Sequence, residues 1–116
     1  MTIRGSCHCG KVAYRLEADP PEAAMECNCS ICRRKGYLHW FVDPADFTLE
    51  TPREALAVYT FRKHVIAHQF CRTCGCAAFI EGTPPRGGKP VVSVNLRCTD
   101  LDLSALTIKP FDGASL

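Results

Sequence analysis

The sequence predicts an all-β fold of short antiparallel strands with few or no helices. In several short runs, apolar and polar residues alternate with period 2, as they do in half-buried strands. Gly, Pro and Asp separate these runs at short intervals. No segment keeps helical spacing of apolar residues long enough to form a long amphipathic helix. With 116 residues and neither repeat nor linker, the chain is predicted to be a single domain over residues 1–116.

The N-terminal residues 2–17 are predicted to form two strands joined by a turn. Val12, Tyr14 and Leu16 alternate with residues of the opposite face, which indicates a strand with one buried side. Gly10 lets the chain reverse tightly before this strand, because glycine accepts positive φ. A loop and a short strand at 23–26 follow.

The middle of the chain alternates between polar turns and short apolar runs. We expect a polar turn at 33–36 and a turn or short helical start at 51–54. Strands are predicted at 38–42, 47–49, 57–61 and 65–70. The last two form a hairpin around residues 62–64.

The C-terminal part begins with a second tight turn at 71–75. Strands are predicted at 77–80, 91–96 and 107–111, and one helical turn at 101–106. Gly and Pro dominate residues 82–90, which are predicted to be the longest loop.

Cysteine is the most unusual part of the composition. The chain has nine, and an odd number leaves one thiol over if the others form disulfides. The first residues lack the apolar core of a secretory signal, and no apolar run approaches the roughly 18 residues of a membrane span. We therefore expect a reduced, cytoplasmic protein without membrane contact, in which clustered cysteines indicate metal binding.

Four cysteines match the pattern of a closed metal site. Cys71 and Cys74 are separated by two residues and followed by Gly75, which is half of a zinc knuckle. Cys7 and Cys9 can supply the other half, since residues i and i+2 of an extended chain point the same way. Four thiolates form a tetrahedral structural site that would tie the N-terminal hairpin to the middle of the chain.

A second cluster contains Cys27, Cys29 and Cys32, one ligand short of a closed site. Cys76 or Cys98 could complete it and make it structural as well. Otherwise water or a substrate thiolate takes the fourth position, which is the arrangement of catalytic zinc sites. The sequence also allows other groupings, for example Cys71, Cys74 and Cys76 as the three-thiol set. An iron–sulfur cluster fits the spacing less well.

The charge balance argues against nucleic acid as a partner. The formal charge is +2. A zinc ion with four thiolates contributes −2 and one with three thiolates −1, which brings the loaded chain to −1. A nearly neutral protein has no net electrostatic attraction to DNA or to a membrane surface.

The cysteine layout resembles the glutathione-dependent formaldehyde-activating enzyme family, which includes centromere protein V. The matching segments are GSCHCG at 5–10, CNCSICRR at 27–34, FCRTCG at 70–75, VNLRC at 94–98 and FDG at 111–113. They extend over nearly the whole chain, and three cysteine clusters in this order are a specific pattern. The resemblance implies a β-tent fold, in which small antiparallel sheets pack around a structural zinc.

The resemblance also implies two zinc ions per chain. It assigns the structural zinc to Cys7, Cys9, Cys71 and Cys74, and a second zinc with an open position to Cys27, Cys29 and Cys32. It favours Cys76 and Cys98 as non-ligands, with Cys98 in the closing strand and Cys76 at the start of a strand.

The implied reaction is that of a carbon–sulfur lyase acting in the synthetic direction. Formaldehyde, or another small aldehyde, joins glutathione or another small thiol to give a product such as S-hydroxymethylglutathione. His39 and His68 are candidates for a base or proton shuttle. Arg33 and Arg34, followed by Lys35, could bind the carboxylates of the thiol.

Other assignments for these residues remain open. Trp40 is a candidate for the wall of the substrate pocket, although core packing is the commoner role of a lone Trp. The loop at 82–90 could cover the site. A zinc-stabilised binding or scaffold module without turnover is the alternative function, and metal or redox sensing through the three thiols is a third. The oligomeric state is open, with a homodimer allowed.

Overall fold

The computed structural model of the chain describes residues 1–61, 66–82 and 89–115, and within them ten strands form two sheets. Three strands make the smaller, antiparallel sheet in the order β1-β2-β5. They are β1 (Thr2–Ser6), β2 (Ala13–Glu17) and β5 (Phe47–Leu49).

The larger sheet has seven strands. They are β3 (Ala23–Cys27), β4 (His39–Val42), β6 (Leu56–Tyr59), β7 (Ile66–Cys71), β8 (Phe79–Gly82), β9 (Val91–Asn95) and β10 (Thr107–Phe111). Their spatial order is β10-β3-β4-β9-β8-β7-β6. All neighbours are antiparallel except β10 and β3, which run parallel. This fold confirms the predicted all-β class.

Helical structure is sparse in the described ranges, as predicted. One α-helix, α1 (Ser30–Lys35), follows the second cysteine cluster. The 3₁₀ turns are Pro44–Asp46, Arg53–Ala55, Leu96–Cys98, Leu103–Ala105 and Gly113–Ser115. None of the helices in the described residues is long and apolar enough to cross a membrane.

The polar turn predicted at 33–36 is wrong, because these residues form the end of α1. Arg33, Arg34 and Lys35 are good helix formers and stand in the last turn, where positive charge stabilises the carboxyl end of a helix. Gly36 then terminates the helix in the left-handed conformation, with φ of 69°.

The main core lies between the two sheets and follows the alternation predicted for residues 12–16, at the start of β2 and just before it. Val12, Tyr14 and Leu16 are fully buried. The Tyr14 ring contacts Phe79 in the larger sheet, with ring centroids 6.2 Å apart. Gly5 faces the same ring, and a Cβ on it would overlap the phenol. Glycine at this position therefore lets β1 approach β2 closely enough to bury Tyr14.

Two predicted features fall partly outside the described residues. The hairpin of 57–61 and 65–70 is observed as the antiparallel pair β6–β7, but its turn at 62–64 lies outside them. Most of the loop predicted at 82–90 also lies outside the described residues.

Candidate metal centres

The first cysteine cluster brings four sulfur atoms together between the N-terminal turn and β7. The Sγ atoms of Cys7, Cys9, Cys71 and Cys74 all lie within 4.8 Å of one another. Cys9 Sγ is 3.6 Å from both Cys7 Sγ and Cys71 Sγ. A tetrahedron with metal–sulfur bonds of about 2.3 Å places its sulfurs about 3.8 Å apart. The spacing of this group therefore fits one ion of the size of zinc.

Backbone amides around this cluster point at the sulfurs. Val12 N–H donates to Cys7 Sγ at 3.3 Å, and the Thr73 and Cys74 N–H groups donate to Cys71 Sγ at 3.3 and 3.4 Å. The N–H of Cys74 lowers the pKa of the Cys71 thiol. Such donors stabilise the thiolate form, which is the form that binds metal.

Two glycines make the turns of this cluster. Gly10 and Gly75 adopt φ of 83° and 81°, as their positions after Cys9 and Cys74 predict. Cys7 and Cys9 lie in the predicted turn between β1 and β2, but not on the extended backbone that the i and i+2 argument requires. Cys7 follows the end of β1, and Cys9 lies in a turn that folds back over it.

The second cluster contains three sulfur atoms, those of Cys27, Cys29 and Cys32, which also lie within 4.8 Å of one another. Cys27 ends β3, Cys29 precedes α1, and Cys32 lies within it. Because residues i and i+3 share one face at the start of a helix, α1 turns Cys29 and Cys32 toward Cys27. Each group could hold a metal ion.

The remaining two cysteines belong to neither group in the described part of the chain. Cys76 packs against the main core. Cys98 lies in a 3₁₀ turn, so its placement in the closing strand is wrong. Its Sγ is 3.7 Å from the Ala77 carbonyl oxygen, and burial raises the pKa of its thiol to about 11.

A C-terminal segment, residues 111–114, covers one side of the three-cysteine group. The parallel pairing of β10 with β3 sets Phe111 beside Cys27. Asn28 binds this segment through both polar atoms of its side-chain amide. Its Nδ2 donates to Asp112 Oδ1 at 3.0 Å, and its Oδ1 accepts from Ala114 N–H at 2.9 Å. A Cβ on Gly113 would overlap Cys27 Sγ, so only glycine permits this approach.

A cavity of about 430 Å³ opens beside the same group. Its lining includes Cys27, Cys32, Arg33, Tyr37, Phe111 and Asp112. Its volume is within the usual range for a small-molecule site. It combines sulfur ligands, a cation and a phenol in one place, which suits a small polar molecule that carries a metal-binding atom.

His39, a predicted proton shuttle, lies directly against the three-cysteine group. Its Nε2 is 3.2 Å from Cys32 Sγ, and its Nδ1 is 2.8 Å from Ser93 Oγ. The side chain is buried, and this burial, with a smaller contribution from His68, lowers the pKa of His39 to about 4. Both ring nitrogens therefore have a partner inside the protein.

His68 lies one contact further from the cysteines. Its Nδ1 is 3.3 Å from the Tyr37 hydroxyl, and the two rings stack. Burial, and then the charge of Lys35, lowers the pKa of His68. Burial raises the pKa of Tyr37, and neighbouring thiolates add to this effect. The phenol therefore stays protonated at neutral pH.

The structure separates the other predicted substrate residues. Arg33 lines the cavity, whereas Arg34 points along α1 and donates from Nη1 to the Ser30 carbonyl oxygen at 2.9 Å. Lys35 lies over the Phe70 ring, 4.9 Å from its centroid. Trp40 is on the opposite face of β4 from His39 and packs against two core clusters.

Four residues near the three cysteines were not assigned a role from the sequence: Asn28, Tyr37, Ser93 and Gly113. For Ser93 and Gly113, the sequence nevertheless contains a feature that could have indicated a role. Ser93 is a hydroxyl in the centre of the apolar run 91–96, where a buried polar group needs a partner. Gly113 belongs to a matched segment, FDG, that no turn or strand requirement explains.

Residues 2–110 match the family described as glutathione-dependent formaldehyde-activating enzyme. A Halomonas elongata protein named for the same activity is 30% identical over 88 residues, which are 69% of this chain. This chain spans 56% of that relative's length. A Rhodobacter sphaeroides protein of known crystal structure has 30% identity and a TM-score of 0.77, over 92% of this chain and 97% of its own.

Proposed function

The chain belongs to the glutathione-dependent formaldehyde-activating enzyme family, and we propose that it is a zinc-dependent carbon–sulfur lyase-like enzyme. In this proposal it condenses formaldehyde, or a similar small aldehyde, with glutathione or another small thiol. The observation that carries the proposal is the group of three cysteines, which has no fourth ligand among the described residues and borders a cavity large enough for a small ligand. A catalytic zinc site has this form, with three protein ligands and one open position.

The two cysteine groups take different parts in this proposal. Cys7, Cys9, Cys71 and Cys74 hold a structural zinc that joins the N-terminal turn to β7. Cys27, Cys29 and Cys32 hold the second zinc. When bound there, zinc would lower the pKa of a coordinating thiol and so make it a better nucleophile at neutral pH.

The residues of the cavity bind and orient the two reactants. Arg33 pairs with a carboxylate of the thiol substrate, which makes it the one proposed substrate contact among the three basic residues of α1. Phe111 and the 111–114 segment wall the opposite side and restrict the approach to the cysteines. Arg34 and Trp40 have partners elsewhere.

Tyr37 is the proposed hydrogen-bond donor to the aldehyde oxygen, with His68 behind it. When His68 carries its proton on Nδ1, it donates to the phenol oxygen and leaves the Tyr37 O–H to donate to substrate. In the reaction a sulfur–carbon bond forms, the carbonyl π bond breaks, and the proton lost by the thiol ends on the carbonyl oxygen. No oxidant or reductant is needed.

The proposal is tested by exchange NMR between hydrated formaldehyde and S-hydroxymethylglutathione with the zinc-loaded protein. We expect the exchange rate to rise by roughly 100-fold or more above the uncatalysed rate, as positioned acid–base groups typically provide. S-methylglutathione, which lacks the thiol, is the control and should show no exchange. If two zincs are bound and no small thiol shows acceleration, the enzyme proposal is wrong and a zinc-stabilised binding module takes its place.

Replacing Gly113 by Ala is expected to weaken zinc binding at the three-cysteine site. The added methyl group overlaps Cys27 Sγ, and strain of about 1–3 kcal/mol from overpacking corresponds to a roughly 5- to 150-fold loss of affinity. Competition with a chromophoric chelator measures this loss. The matched control is Ala114→Ser, which adds one atom at the exposed neighbouring position. Equal affinities for the two variants would show that the segment does not contact the site.

A further inference from the structure

A buried chain of polar side chains leads from β9 to the three-cysteine group. Ser93 Oγ is 2.8 Å from His39 Nδ1, and His39 Nε2 is 3.2 Å from Cys32 Sγ. The exposed fractions of the three residues are 1%, 4% and 8%. A buried polar group without a hydrogen-bond partner costs free energy, and here each side chain is the hydrogen-bond partner of the next. The chain is therefore a specific structural feature of the fold.

The sheet holds this chain in place. On β3 and β4, Met25 is paired with His39, so Cys27, two residues on, lies on the same face. Ser93 is the diagonal neighbour of His39 across β4 and β9, where His39 is paired with Asn95. The rings of Tyr37 and Phe41, with centroids 5.0 and 5.8 Å away, contact the imidazole. The imidazole therefore has little freedom to rotate.

The chemistry of the partners assigns the protons. A metal-binding cysteine is a thiolate and only accepts hydrogen bonds. Nε2 must then carry a hydrogen and donate it to Cys32 Sγ. In a neutral imidazole the other nitrogen is an acceptor, so Nδ1 accepts from the Ser93 hydroxyl. Ser93 thus fixes the tautomer of His39.

We infer that His39 is a positioning residue of the second metal centre. Through an N–H···S hydrogen bond, its imidazole orients the Cys32 thiolate and withdraws electron density from the sulfur. This inference rests on the proposed function, since it requires that Cys27, Cys29 and Cys32 bind a metal. It gives His39 a role other than the proton shuttle, because neither nitrogen is open to substrate. A Cys32 sulfur that donates less charge would leave a metal held by the three cysteines a stronger electrophile.

His39 does not act as the fourth ligand in this arrangement. A metal-binding nitrogen must present a lone pair, whereas Nε2 presents its hydrogen to sulfur. Among the described residues, the set of ligand atoms that are all mutually within 4.8 Å contains only the three sulfurs. A metal held by the three sulfurs would keep a fourth position for a molecule from the cavity.

The inference is tested with Co²⁺ as the probe metal, because its absorption reports on the thiolate ligands. In His39→Leu we expect the sulfur-to-cobalt charge-transfer band to move to longer wavelength, as the sulfur becomes more electron-rich. We expect the affinity of this site to fall 10- to 100-fold, the usual effect of removing such a partner. His39→Gln keeps an N–H near the position of Nε2. This variant should therefore retain most of the wild-type band position and most of the wild-type Co²⁺ affinity.

Two further variants make the result specific. Ser93→Ala should shift the band in the same direction by a smaller amount, and it tests the chain even if His39→Leu fails to fold. His68→Gln, which changes the neighbouring histidine without touching Cys32, should leave the band in place. Full Co²⁺ binding at the four-cysteine group provides the internal measure of folding.

The outcomes separate this inference from the proposed function. A wild-type protein that binds only one Co²⁺ would overturn the second metal site, and with it the role of His39. Two bound ions with an unchanged band in His39→Leu would overturn the role of His39 alone. If His39→Gln behaves like His39→Leu, the hydrogen bond to sulfur is not the cause and the inference is likewise wrong.

Discussion

Replacing Cys71 by Ser is expected to abolish the folded state at room temperature. Cys71 is fully buried, and its sulfur lies in the four-cysteine group that joins β7 to the N-terminal turn. Binding of a structural zinc contributes about 10–16 kcal/mol in apparent free energy, which equals or exceeds the 5–15 kcal/mol stability of a typical domain. Loss of one thiolate from the ligand set removes enough of this to unfold a chain of 116 residues.

Thermal melting by circular dichroism, together with zinc analysis, measures this effect. The wild-type protein should melt cooperatively and contain two zincs per chain. Cys71→Ser should show no cooperative melt and should not retain the two zincs. Cys76→Ser is the matched control, because Cys76 lies five residues away and outside both groups. A cooperative melt in Cys71→Ser with unchanged zinc content would contradict the structural role of this site.

Replacing Cys29 by Ser should abolish activity while the protein stays folded. Cys29 belongs to the three-cysteine group, which lies at the edge formed by β3, α1 and the C-terminal segment rather than in the main core. Removal of one of only three protein ligands should lower zinc content from two to one per chain. The acceleration of formaldehyde–glutathione exchange should fall to the uncatalysed rate, with Tm changed by a few degrees at most.

Cys98→Ser is the control for this variant. Cys98 is half-buried and belongs to neither group, so this change should leave two zincs and full exchange activity. Exchange that persists in Cys29→Ser would place the reaction elsewhere and refute the proposed site. If Cys29→Ser unfolds like Cys71→Ser, the two groups are both structural.

Most of the strands could be predicted because their signals are local. The alternation of Val12, Tyr14 and Leu16 predicts a one-sided strand, and all three are buried. The helix at Ser30–Lys35 was missed, since six residues are too few to show a helical period and three of them are adjacent basic residues that also suit a turn. The parallel pairing of β10 with β3 has no local signal, because the two strands are joined through most of the chain.

The local sets of neighbouring cysteines could also be predicted from spacing. In each set, neighbouring cysteines have one or two residues between them, and a short turn can direct such neighbours at one point whatever the rest of the chain does. Spacing alone does not decide which cysteines share one metal ion. The sequence left Cys76 and Cys98 as candidates, and the structure places their sulfur atoms outside both groups because they pack into or beside the core.

The sequence by itself therefore determined the fold class and the local sets of neighbouring cysteines, since alternation and ligand spacing act over a few residues. Only the tertiary structure decided what surrounds the three-cysteine group. His39 and Ser93 are 54 residues apart, and Asn28 and Ala114 are 86 apart. Their contacts depend on strand order and register, which are set by burial across the whole sheet and leave no mark at either position alone.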